Sequence, residues 1–253
     1  MLFLDAFRWI LDPGHWSTVN YGPGILDELG AHLRLTLLSV VLTAAIALPL
    51  GLYIGHTGRG RRFAILLANV VRAFPTLGLL SLLLSTALFA GEFASTVVAN
   101  VLVFVLLGVP PLLAGAYAGL ESIDRTTVDA ARAMGHTEWQ ILFRVELPLA
   151  APLILGGLRS AVLQIIASVT IVSYFGTASL GDFILGGLAS TDYVQVVAGS
   201  LLVTALALLV DGVLAVVQRT ARPRGVSRGR DRTTTARGRS VSAASRAPMP
   251  EGN

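Results

Sequence analysis

The chain contains no cysteine and no lysine. Without cysteine there is no disulfide scaffold, no thiolate metal site and no thiol nucleophile. Without lysine there is neither a phosphate-binding Walker lysine nor a Schiff base, so if the protein runs on nucleotide energy, another subunit must bind the nucleotide. Charge is scarce too: only 13% of the 253 residues are charged, against about 25% in a typical soluble domain. Hydrophobic residues make up 54%, and the mean hydropathy is +0.72. Together these values exclude soluble domains as the main architecture.

All 19 basic residues are arginines, and nine of them fall between Arg219 and Asn253. That tail carries a net charge of +7 and the rest of the chain −3. The high isoelectric point therefore describes a tail, with no basic core to grip nucleic acid.

A bilayer core about 30 Å thick needs about 20 apolar residues in a helix. Five stretches qualify: 35–58, 63–90, 93–120, 150–173 and 193–217. Fifteen arginines lie in the segments after the first, third and fifth stretches, and two lie before the first. This asymmetry places the amino terminus outside and the carboxyl terminus in the cytoplasm. Residues 1–31 form an external segment whose first eleven residues read as a short interfacial helix, with a disordered terminus as the alternative. Residues 32–218 hold the spans. Residues 219–253, rich in Arg, Ser, Thr and Gly, read as a disordered tail that fixes topology and is attracted to anionic lipid.

The loop at 120–149 is the organised one. Thr126-x-x-Asp129 reads as a helix start, Gly135 as a left-handed stop, and Thr137-x-x-Gln140 as a second capping box. The second helix is expected to end near Pro148. Val128, Ala131, Met134, Trp139, Ile141, Leu142 and Phe143 give this hairpin more apolar surface than a free loop shows. It either folds back on the spans or docks another protein, with Trp139 as anchor.

Asp129-Ala130-Ala131, three residues, Gly135, nine residues and Val145-Glu146-Leu147-Pro148 resemble the EAA loop of ABC importer permeases. Asp replaces the family's Glu at 129, and Val its Ile at 145. The resemblance implies an all-α integral membrane protein with five spans in a type I importer arrangement and a cytoplasmic coupling hairpin. It implies no catalytic residues, no metal and no cofactor on this chain, with ATP bound by a partner ATPase. Asp129, Ala130, Ala131, Gly135, Trp139, Leu147 and Pro148 would make the ATPase-coupling contact. Further partners would be a second permease copy or paralogue and an extracytoplasmic solute-binding protein. Leu11-Asp12-Pro13-Gly14-His15-Trp16, Arg72-Ala73-Phe74-Pro75-Thr76-Leu77-Gly78 and Ser179-Leu180-Gly181-Asp182 resemble the osmoprotectant branch, which carries glycine betaine, choline, carnitine or proline. An importer of another small solute, such as an amino acid, is the alternative.

Three charges, Arg72, Arg159 and Asp211, fall inside spans in one layer, where ionisable groups are costly. Asp211 either pairs with Arg159 or Arg72, or the arginines snorkel to the headgroups. Tyr174 and Phe175 offer aromatic faces to a quaternary ammonium solute, or belong to the interfacial aromatic belt. Two distant alternatives complete the set: a scaffold acting through its basic tail, and an intramembrane aspartyl hydrolase built on Asp182 and Asp211.

Overall fold

Ten helices account for nearly all of the 1–17, 23–73, 75–89 and 93–221 segments that the computed structural model describes, and no strand occurs among these residues. They are α1 (Leu2–Leu11), α2 (Ile25–Thr57), α3 (Arg61–Ala73), α4 (Thr76–Phe89) and α5 (Phe93–Glu121), followed by α6 (Arg125–Ala133), α7 (Glu138–Ile141), α8 (Leu147–Val169), α9 (Gly181–Ala189) and α10 (Tyr193–Thr220). The tail from residue 222 onward lies outside the described residues, as does the side chain of Arg72.

Helices α2, α5, α8 and α10 are each long and apolar enough to cross a membrane. The expected second span is instead a bent pair, α3 and α4, whose axes turn by 82° at Pro75. Proline favours the break because it cannot donate a hydrogen bond to the preceding turn. The first long helix begins ten residues before the apolar stretch, at Ile25. Its early turns bury Glu28 and His32, at 2% and 0% exposure. These groups are enclosed by protein, so hydropathy places the helix start too late.

Helix α5 runs between α2 and α8, and α4 lies against it. Leu35, Leu84, Phe104, Ile165 and Val169 form the core of this layer. Small residues bring the helices close, as backbone contact in lipid requires. Gly115 on α5 and Gly157 on α8 meet face to face, and a Cβ on Gly157 would lie 2.9 Å from the Gly115 Cα. Helix α10 packs on α8, with α9 and α1 also against it. Ile25, Leu180 and Phe183 form a separate cluster with Trp9 and Leu29.

Candidate functional site

The segment between α5 and α8 folds as a capped hairpin. Asp124, rather than Thr126, caps α6: its carboxylate accepts from the Thr126 N–H at 3.0 Å. That bond holds the Asp124 carboxyl below the usual carboxylate range. Met134 ends α6 and Gly135 follows at φ +86°. The Gly135 N–H donates to Arg132 and the His136 N–H to Ala131, which closes the helix end in a Schellman turn. Alanine at 135 would be held in a left-handed conformation, costing about 1–2 kcal/mol. Gly135→Ala is therefore expected to raise protease sensitivity at this turn, read by limited proteolysis of the purified protein. Thr137 and Gln140 form the expected capping box, with bonds of 3.4 and 3.0 Å.

The second helix does not end near Pro148. After α7 the chain makes a π-helical turn, Leu142–Glu146, and enters α8 directly. The Leu147 N–H reaches back five residues to Leu142. Pro148 then occupies the first turn of α8, where its missing N–H breaks no bond of that helix.

The apolar hairpin residues divide into two sets. Val128, Ala131 and Ile141 are buried together as a small internal core with Ile123 and Val145. Ala131 faces inward, and its small size lets α6 approach α7. Leu142 and Leu147 pack instead with Ala116, Leu120 and Ala150 at the root of the spans. Met134, Trp139 and Phe143 remain outside, at 71%, 71% and 52% exposure, and the Trp139 and Phe143 rings stack at 5.8 Å. Asp129, Ala130, Gly135 and Pro148 are also exposed. The hairpin thus presents an apolar outer surface with charges of both signs, on a frame held from within.

A charged line crosses the same region. Arg132 grips both oxygens of Glu138, at 2.8 and 3.0 Å, and reaches Asp129 at 3.1 Å. His56, in the last turn of α2, contacts Glu138 and Glu146. The sequence offered no signal for the latter contact, whose partners are 90 residues apart.

Deeper in the bundle, Arg159 engages both carboxylate oxygens of Asp211 through Nε and Nη2, tying α8 to α10. Tyr174 and Phe175 follow α8 in a 3-10 turn. Tyr174 is 72% exposed, whereas Phe175 packs against the main core and offers less of its ring. Asp182 lies at the start of α9, close to buried Glu28. Asp211 stands about 18 Å along α10 from Gly199, where Phe183 of α9 meets that helix. The two aspartates cannot share a proton, so the arrangement gives an aspartyl hydrolase no reacting pair. No group of three or more His, Asp or Glu side chains among the described residues is arranged to hold a metal.

Comparison with known proteins agrees with this geometry. The carnitine transport permease protein OpuCD of Listeria monocytogenes is 32% identical over 221 residues, covering 87% of this chain and 95% of that protein. The glycine betaine/carnitine/choline transport system permease protein OpuCB of Bacillus subtilis is 31% identical over 205 residues, covering 81% and 92%. A structure of the inward-facing MetNI methionine ABC transporter superposes with a TM-score of 0.67 at 20% identity, covering 79% of this chain and 96% of that one. The fold is therefore that of a type I ABC importer permease. The family model of the binding-protein-dependent transport system inner membrane component matches residues 47–223. The chain belongs to that family and is a multi-pass membrane subunit of an ABC importer.

Proposed function

We propose that this chain forms the solute pathway of an importer for small osmoprotectants of the glycine betaine, carnitine, choline or proline kind. The substrate class rests on similarity over most of the chain to relatives named for such solutes. Family membership implies a separate ATPase, an extracytoplasmic binding protein and a second permease subunit. In this reading the hairpin faces the cytoplasm and the amino terminus lies outside, in keeping with fifteen arginines on the hairpin side and two opposite. The basic tail then sits beside the anionic inner leaflet.

The observation that carries the mechanism is the hairpin itself. Its interior is packed and capped, yet Met134, Trp139 and Phe143 stay exposed, as does Asp129. Such an apolar surface on a braced frame suits a protein groove. The ATPase, on closing around ATP, would push this frame and shift the bundle between states of unequal affinity for the solute. Tyr174 is the aromatic face we place nearest the solute's route.

Trp139→Ala tests the dock. Loss of a central tryptophan anchor costs about 2 kcal/mol, so the ATPase is expected to bind roughly thirtyfold more weakly. Co-purification in mild detergent checks this, with uptake of labelled glycine betaine and of a labelled amino acid measured in parallel. Undiminished ATPase binding by Trp139→Ala would remove the dock, and uptake of the amino acid alone would replace the substrate class.

A further inference from the structure

One histidine joins the hairpin to the membrane bundle. His56 lies in the last turn of α2 with its side chain 15% exposed. Its Nδ1 is 2.5 Å from a Glu146 oxygen, and its Nε2 is 3.3 Å from a Glu138 oxygen. Glu146, 4% exposed, belongs to the π-helical turn at the root of α8. Glu138 opens α7 and is held by Arg132, which also holds Asp129. A continuous polar line therefore runs Asp129, Arg132, Glu138, His56, Glu146, from the outer face of the hairpin to two spans.

The chemistry of this contact is restrictive. A carboxylate only accepts hydrogen bonds, and a neutral imidazole has a single N–H to give. With a carboxylate at each nitrogen, both contacts are hydrogen bonds only when the ring carries two protons and a positive charge. Glu138 and Glu146 face the ring directly, and Arg132 stands behind Glu138 with both guanidinium edges occupied. On the neighbouring end of α5, Glu121 is engaged by Arg61 at 3.6 Å.

Next to this contact the packing between the two parts is incomplete. A groove of about 500 Å³ is lined by Leu48, Pro49 and Leu52 of α2 and by Trp139, Leu142 and Phe143. Leu48 and Leu52 reach the cluster that holds Leu142, and His56 adds a polar tie between the same two parts.

We propose that His56 is the positioning residue that makes α2 follow the hairpin, its ring held between Glu138 on the hairpin and Glu146 in the π-helical turn that leads into α8. A displacement arriving at Asp129 then moves α2 and α8 together instead of tilting the hairpin into the groove. This inference rests on the reading of the hairpin as the ATPase dock.

The test uses the complete transporter, with its ATPase and binding protein, in liposomes, and measures glycine betaine imported per ATP hydrolysed. His56→Ala is expected to retain the ATPase and its hydrolysis while the ratio falls about tenfold. His56→Arg, a permanent cation with donors for both carboxylates, is expected to restore most of the ratio. His56→Gln, neutral and unable to serve both sides as a cation, is expected to resemble His56→Ala and carries the test if the alanine variant fails to assemble. An unchanged ratio in either neutral variant overturns the proposal. So does failure of His56→Arg to improve on them, because a merely structural contact would not discriminate by charge. Failure of the dock itself reads differently, as ATPase binding that Trp139→Ala does not weaken.

Discussion

Asp211→Ala is expected to lower uptake about tenfold or more, with less intact protein reaching the membrane. Arg159 lies about 18 Å into α8, and Asp211 about 14 Å from the end of α10. Removing the carboxylate leaves a guanidinium in a low-dielectric layer with its bidentate partner gone, and breaking such a pair is far costlier than never having had it. The pair also belongs to a seam. Gln218, seven residues after Asp211, donates to the carbonyl of Pro152 at 2.7 Å, seven residues before Arg159. Ala198 and Gly199 are the only fully buried residues of α10, and its other packing, against α9 and α1, lies closer to its start than this seam. Asp211→Arg should be worse than alanine, and the exchange Arg159→Asp with Asp211→Arg should recover part of the loss. Membrane yield, melting in detergent and uptake measure all three variants. Full uptake in Asp211→Arg would show that the seam carries no load.

The second large effect is expected at Gly157. A Cβ there would sit 2.9 Å from both the Gly115 Cα and the Pro111 carbonyl oxygen. Both obstacles are backbone, so no rotamer change relieves the clash. Gly157→Ala should destabilise the bundle by about 1–3 kcal/mol, as overpacking does, and Gly157→Leu should prevent α5 and α8 from docking at all. Gly30→Ala is the control, because nothing lies within 4 Å of a Cβ at that position. Monodisperse elution and melting temperature in detergent give the comparison. Equal melting temperatures for Gly157→Ala and Gly30→Ala would contradict the close approach.

The long spans were legible because bilayer thickness imposes a minimum apolar length, and α2, α5, α8 and α10 all exceed it. Their ends were less legible. Hydropathy treats Glu28 and His32 as groups facing water, whereas the fold encloses them. Similarly, Pro148 reads as a terminator until the π-helical turn places it in a first turn, where it is harmless. In the hairpin the Gly135 stop and the Thr137 box could be read because their bonds span a few residues. The cap at Asp124 was displaced by two positions, since Thr126 and Asp124 satisfy the same local pattern. Contacts between distant segments lay beyond such reasoning. The choice of Arg159 as the partner of Asp211 and the meeting of His56 with Glu146 depend on how spans cross, which no local spacing encodes.

The uninterrupted passage from α7 through the π-helical turn into α8 has a mechanical consequence. A hairpin hung on a loose tether would behave as a ball joint, and force applied to it would dissipate as tumbling. Here the second helix is a crank cast in one piece with its shaft. Torque at the crank becomes rotation of α8, and with it of Arg159 and the partner helix that Arg159 holds.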